Sequence, residues 1–354
     1  MKAPTANPLT DAQACLAQGQ SLEAAGTPDA LAAAVAAYDR AIARLQAHRP
    51  QSPDIISLLA ITWMNRGNAR QKQADGPRDA VRAYDHALAL FAQLPPDDAL
   101  TNRMGAAWLN RGHALQQSTE PRQRLEAISS TEESIALLSK LPVGENLDYR
   151  LNLAGAQANL AQLLIESAAA DRCLRASAAV ASALELTARH EQQRAGFADI
   201  GLKARRTLCQ IIGQWLIAND DADRQAKLIA SASDAVDTGM TLARHWESLG
   251  VTHFRPLTER LFRFGTAFYR RHQIHFLADF VLENLDPNTC SDAITSHPEL
   301  QSIAREGLQA ARHDLRTNHV LVSQDAASER RMQALAHLEA ALDLLAPDRL
   351  VSAV

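Results

Sequence analysis

Apolar side chains in this chain return every three or four residues. Leu257, Leu261, Phe264 and Phe268 form one such stripe, and residues at that spacing share a face of an α-helix. Alanine-rich runs such as Leu31 to Tyr38 and Leu153 to Ala170 read as helix as well, because alanine is the strongest helix former. No window alternates apolar and polar positions with the Val, Ile and Thr enrichment of a strand. The pattern predicts an all-α chain.

The pattern also repeats. AVAAYDRAIARL (Ala34 to Leu45) returns 46 residues later as AVRAYDHALALF (Ala80 to Phe91), and AISSTEESIALL (Ala127 to Leu138) follows as a weaker copy. Between these blocks WMNRGNA (Trp63 to Ala69) recurs as WLNRGHA (Trp108 to Ala114). Asp75, Gly76 and Pro77 separate the blocks within a repeat. Leu94, Pro95, Pro96 and Asp97, echoed by Leu141, Pro142, Val143 and Gly144, separate one repeat from the next. Proline cannot continue a helix and restricts the residue before it, so each unit is helix, turn, helix, loop.

AITWMNRGNARQKQADGPRDAVRAYDHALAL resembles the tetratricopeptide repeat. Trp63, Gly67, Ala80, Tyr84 and Ala87 stand on its signature large and small positions, with one extra residue at the Gly76–Pro77 turn. Trp108, Gly112, Ala127, Thr131 and Ser134 form a looser copy. The resemblance is clearest over residues 29 to 140, and the spacing of 45 to 47 exceeds the family's usual 34. It implies a right-handed α-α superhelix, a solenoid of about seven helix pairs. Gly67 and Gly112 would leave room at the crossing within a pair, opposite large neighbours.

Weaker pairs extend the array. Cys15 to Leu22, with Gly19 at the crossing, precedes the helix ending at Leu45. A helix from Asp171 to about His190 follows the Asn159 segment. Further pairs are predicted over Phe197 to Ala218 with Ala222 to Leu249 and from Pro256 to His272, with Gly265 at the crossing, into FVLENLDPN, and Ala334 to Asp348 reads as the second helix of a last repeat. Residues 1–290 are expected to form the array and 291–354 a C-terminal helical pair that caps it. A linker is predicted near Asp286 to Pro298, and a long loop from Arg316 to Arg331.

Helical spacing places Asn65, Asn68 and Lys72 on one stripe, with Asn110, His113 and Gln117, then Asn159, Gln162 and Glu166, at the equivalent positions. The family resemblance implies that first helices line a concave groove. These residues, with Met64 and Leu109, are then candidates to bind a peptide or partner helix. A solvated polar face is the alternative. Some tetratricopeptide domains clamp a C-terminal carboxylate with asparagines and cations. This chain matches the asparagines with Asn68 and Asn110, but Met64 stands at the first cationic position and Gly155 and Asn159 at later ones. Arg66 and Arg111 sit at the edge of the packed face, and an acid recurs as Asp39, Asp85 and Glu132. Ion pairs between helices are expected, within a repeat or to the preceding one.

The composition narrows the partners. A net charge of −4 gives no general attraction to phosphate backbones or anionic membranes. A protein or peptide partner is therefore expected, with no nucleic acid and no membrane. Cys15, Cys173, Cys209 and Cys290 are too far apart for a CxxC pair and read as buried thiols. The first twenty residues lack the apolar stretch of a secretory signal, and the chain is placed in the cytoplasm. His272, His275 and Asp279 share a helical face, but they complete no metal-binding signature. Arginines alternate with aromatics from His253 to Arg271 around a core stripe, leaving a basic rim that an acidic partner could use. No nucleophile elbow, phosphate loop or dinucleotide fingerprint occurs. The reading is a protein-interaction scaffold without enzyme activity or cofactor. The alternative is a regulator whose solenoid changes curvature when it binds a small peptide or signal molecule.

Overall fold

The computed structural model describes residues 8–48, 52–117, 120–166, 170–218, 221–285, 298–317 and 325–344. Among them every regular element is helical. The chain is all-α and is built of consecutive helix pairs: α1 (Pro8–Ala25) and α2 (Pro28–Ala47), α3 (Pro53–Gln71) and α4 (Pro77–Phe91), α5 (Asp98–Gln116) and α6 (Pro121–Leu138), α7 (Leu147–Ile165) and α8 (Ala170–Thr187). Next come α9 (Ala195–Ala218) and α10 (Ala222–Ser248), α11 (Arg255–His272) and α12 (Leu277–Leu285), and α13 (Pro298–Thr317) and α14 (Asp325–Leu344). Prolines open α2, α3, α4 and α6, where the missing N–H costs nothing. Thr27, Ser52, Asp97 and Asn146 cap α2, α3, α5 and α7 by accepting from backbone N–H groups of the first turn.

Two compact units result, Met1–Leu186 and Thr187–Val354. In the first unit α2, α4 and α6 each pack on their own first helix and on the first helix of the next pair, and α3 and α5 each touch the first helices beside them. First helices thus form an inner layer. No residue of α3 from Ile55 to Gln71, of α5 from Leu100 to Gly112, or of α7 from Tyr149 to Ile165 is fully exposed, whereas α4 exposes Arg82, Asp85, His86 and Ala89.

The crossing within a pair depends on a glycine facing a large residue. A Cβ at Gly67 would lie 2.6 Å from Tyr84 Cε1, and one at Gly19 would lie 2.4 Å from Tyr38 Cε1. At Gly112 the obstacle is Thr131 Oγ1 at 2.6 Å. Tyr38, Tyr84 and Thr131 are all fully buried, as are Ala80 and Ala87. The repeated large and small positions are therefore interlocking contacts.

The second unit has one continuous apolar core, with Leu202, Ile212, Val236, Phe254, Phe262 and Val281 among its buried members. At its entry Arg205 grips Glu191 with two parallel bonds of 2.9 Å. The pair is almost wholly enclosed, at 11% and 6% side-chain exposure. Thr187 donates to the same carboxylate (2.7 Å), and the Trp246 indole donates to the Glu191 carbonyl (2.8 Å). A buried charge is tolerable only with such full satisfaction. Nothing in the repeat pattern signals this pair.

The predicted helix at Pro256 to His272 is α11, and the pair at Phe197 to Ala218 and Ala222 to Leu249 is α9 and α10. The loop expected from Arg316 to Arg331 is shorter, because α13 runs to Thr317 and α14 starts at Asp325. The linker near Asp286 and the change expected at residue 290 lie outside the described residues. Helices α13 and α14, on the far side, pack with α11 and α12 within the second unit. Cys209 is buried, but Cys15 and Cys173 are half-buried rather than enclosed as expected. Cys290 lies outside the described residues.

Candidate functional site: the inner layer of the first unit and its cleft

The WxNRG arginines join successive pairs. Arg66 donates through Nε to Asp39 of α2 (2.7 Å) and through a terminal nitrogen to Asp79 of α4 (3.1 Å). Arg111 repeats this geometry, with Nε to Asp85 of α4 (2.7 Å) and a terminal nitrogen to Ser130 of α6 (2.7 Å). Of the two pairing schemes the sequence leaves open for the recurring acids, the structure takes the one to the preceding pair, and the second bond of each arginine goes to a different residue, Asp79 or Ser130, of its own second helix. Each arginine also lies over the tryptophan three residues earlier, 5.5 Å from Trp63 and 5.6 Å from Trp108. In the third copy Leu160 takes the arginine's place, and Glu132 pairs with Arg175 of α8 instead. Arg70 adds a 2.8 Å contact to Asp79. Burial pushes the Asp79 carboxyl upward, but the Arg66 charge, the Arg82 bond and the Arg70 charge outweigh it and hold it below the ordinary carboxylate value.

The amide stripe is knitted from helix to helix. The buried Tyr84 hydroxyl donates to Asn68 Oδ1 (2.9 Å) or Gln71 Oε1 (2.8 Å), and Asn110 on α5 donates to the same Asn68 oxygen (3.1 Å). Asn159 on α7 reaches back in the same way to Thr131, which occupies the tyrosine slot (3.2 Å). Burial, with the Glu23 charge behind it, raises the Tyr84 hydroxyl far above a free phenol, so it remains a donor. Lys72 pairs with Glu23 of α1 at 2.7 Å, and Glu23 also accepts from Tyr38 at 3.0 Å. Gln162 donates to Glu166 (3.2 Å), one turn on. Asn65 is half-buried on α3.

The candidate residues therefore differ in their surroundings. Met64 is half-buried against the clusters around Phe91 and Tyr84, and Leu109 is half-buried against the Leu138 cluster. Asn68, Asn110 and Asn159 hold neighbouring helices together. Lys72, His113 and Gln117 are exposed. Spacing put eight of them on equivalent stripes; it carried no information on which of them the adjacent helix would engage.

Gln117 also borders a cleft that the sequence did not reveal. About 580 Å³ lies open between the start of α4, the end of α5 and the start of α6. Val81, Ala114 and Leu115 form its apolar floor, while Asp75, Arg78, Glu120, Arg122 and Glu126 ring it with both signs of charge. Arg78 and Glu120 meet across it at 3.2 Å, both well exposed. An apolar floor inside a charged rim is the anatomy of a recognition surface.

Other chemistry is sparse among the described residues. No group of His, Cys, Asp and Glu there is placed to hold a metal ion, and no helix is long and apolar enough to cross a membrane. His272 ends α11, and burial followed by the Arg271 charge lowers its pKa, while His275 is exposed in the turn at Ile274–Phe276. On the same helix Phe268 is buried and Phe264 half-buried, whereas Arg260, Arg263, Arg270 and Arg271 are exposed.

No protein-family model and no curated protein matches the sequence. Among solved structures the chain is similar to the nuclear import adaptor Nro1, one structure being described as a hypoxic regulator of sterol synthesis and another as the S. pombe protein. Both superpositions show 13% identity and cover 94% of this chain, with 92% and 99% of the other chain and TM-scores of 0.42 and 0.43. At that identity and score the likeness assigns neither partner nor activity to this chain.

Proposed function

We propose that the first unit is a tetratricopeptide-like binding module that holds a peptide segment or helix of a partner protein against its inner layer and the adjoining cleft. The observation that carries this reading is the cleft itself, about 580 Å³ with an apolar floor and a charged rim. Gln117 borders it, and Lys72 just after α3 and His113 in the last turn of α5 stand exposed, where a bound segment can meet them. The asparagines that tie α3 to α5 and α7 to α6 keep the surface pre-arranged, which lowers the entropy cost of binding. The chain then acts as a scaffold or adaptor, with no cofactor.

Affinity capture from native lysate tests this reading, comparing the wild type with a variant carrying Lys72→Glu, His113→Glu and Gln117→Arg. His113 and Gln117 are exposed, but Lys72→Glu also breaks the pair with Glu23, so a Lys72→Gln version is captured beside it and both variants are compared with wild type by thermal melting. Selective loss of a captured protein is the expected result. An identical set of captured proteins from both baits would remove the inner layer from consideration.

A further inference from the structure

Three helices of the second unit, α10, α11 and α12, border a cavity of about 320 Å³ whose walls mix aromatic rings with carboxylates. The carboxylates are Asp237 on α10 and, one turn apart on α12, Asp279 and Glu283. Arg244 pairs with Glu283 at 3.1 Å, which leaves Asp237 and Asp279 to give the wall its charge. A hydroxyl relay sets Asp237 in place: Tyr269 donates to its carboxylate at 2.9 Å, and the Ser233 hydroxyl lies 2.6 Å from that of Tyr269. Partial burial and the charges of Glu283 and Asp234 raise the Asp237 carboxyl above its ordinary value, against the Tyr269 and Ser233 bonds. A positive charge in the cavity would relieve it.

A second observation, independent of the acids, points the same way. Gln273 closes α11, with its backbone N–H donating to the Tyr269 carbonyl and its own carbonyl accepting from the Phe276 N–H, each at 2.9 Å. Its side chain lines the cavity, and the side-chain oxygen is buried with no donor among the described residues. A buried acceptor without a donor is costly, and beside a cavity it fits a ligand that donates. Acids and amide together call for a cationic donor.

The rings give that donor its shape. Phe276 is 56% exposed, while Phe280 and Tyr269 are buried with ring centres 4.9 Å apart. An aliphatic stem can lie along such rings while its charged head reaches the acids. Asp237, Gln273 and Asp279 come from α10, the end of α11 and α12, and acceptors so spread suit the three hydrogens of an ammonium better than the planar fork of a guanidinium. Phe276 and Asp279 are both exposed, so the stem can enter from a backbone that stays outside.

We propose that the cavity between α10, α11 and α12 receives a lysine side chain of a partner protein. Its ammonium sits among Asp237, Asp279 and the Gln273 side-chain oxygen, and its methylenes rest on Phe276. The site belongs to the second unit alone, and failure of the inner-layer variant leaves this proposal standing.

The probe is a fluorescein-labelled, amidated peptide of alternating lysine and alanine, with acetyl-lysine replacing lysine in its control and arginine in a third arm. Anisotropy titration of the full chain at physiological salt should give about tenfold weaker binding of the acetyl-lysine peptide, the loss expected when charge-assisted hydrogen bonds go. Asp279→Lys, at an exposed position, should abolish the preference with the fold intact by thermal melting. Asp223→Lys makes the same charge change at the exposed start of α10 and should leave the preference unaltered. Gln273→Leu should weaken lysine-peptide binding severalfold without lowering the thermal midpoint, whereas an amide of purely structural role would leave binding alone. Equal binding of the lysine and acetyl-lysine peptides, equal losses in Asp279→Lys and Asp223→Lys, or unchanged binding in Gln273→Leu would overturn the site. Tighter binding of the arginine peptide, or of free spermidine used as a competitor, would replace the lysine with another cation and overturn the proposal as stated.

Discussion

Gly67→Ala sets two known effects against each other with opposite signs. In an open helix the change stabilises by about 1 kcal/mol, since alanine loses less backbone entropy than glycine. At this crossing the new Cβ would sit 2.6, 2.9 and 3.0 Å from three Tyr84 ring carbons. Carbon atoms prefer about 3.5 to 4 Å, so the ring or the helix must move by roughly 1 Å. Tyr84 is fully buried, and its hydroxyl bonds to Asn68 or Gln71 restrain it further. Overpacking of this kind costs about 1 to 3 kcal/mol. The net expectation is a loss of up to about 2 kcal/mol, combining that cost with the helix gain. Removing the ring should reverse the sign: in a Tyr84→Ala background, itself destabilised by about 3 to 5 kcal/mol, Gly67→Ala should become neutral or stabilising. Denaturant unfolding gives the free energies, and amide exchange across α3 and α4 localises the loss. A stabilised Gly67→Ala single variant, or equal effects in the two backgrounds, would refute the interlocking crossing.

Three further outcomes are expected. Glu191→Gln should cost about 3 kcal/mol or more, because it leaves the enclosed Arg205 charge half-answered, and urea unfolding measures it. Asp79 has a depressed folded pKa, so its contribution to stability is complete above its ordinary value of 3.8 and fades as pH falls through the lower folded value. Wild type should therefore lose stability below about pH 4 more steeply than Asp79→Asn, by melting across pH. In the native protein at pH 8 a thiol reagent should modify Cys15 and Cys173 well before Cys209, which is enclosed and raised to about 12. Peptide mapping by mass separates the three.

The repeat was legible because its logic is local and reciprocal. Gly67 with Tyr84, and Trp63 with Arg66, recur in the next copy as Gly112 with Thr131 and Trp108 with Arg111, and the fold sets each against that partner. The arginine contacts were foreseen in kind only, since spacing cannot show that one guanidinium reaches the preceding pair and its own second helix at once. The amides Asn68, Asn110 and Asn159 lie on the first helices of their pairs, α3, α5 and α7. Periodicity reports which face a residue occupies, but not how closely the next helix approaches, and that approach turns Asn110 and Asn159 into ties between helices. The cleft beside Gln117 depends on how far the starts of α4 and α6 stand apart. The Glu191–Arg205 pair occurs once, and two non-repeating residues fourteen apart leave no pattern to read.

The central claim is that a partner sits on the first unit. Hydrogen exchange of the full chain, alone and with the protein lost from the Lys72, His113 and Gln117 variant, measures this directly. Protection should appear along α3 and α5 and at the starts of α4 and α6, where the cleft opens. Protection confined to Thr187–Val354, with the first unit unchanged, would contradict it.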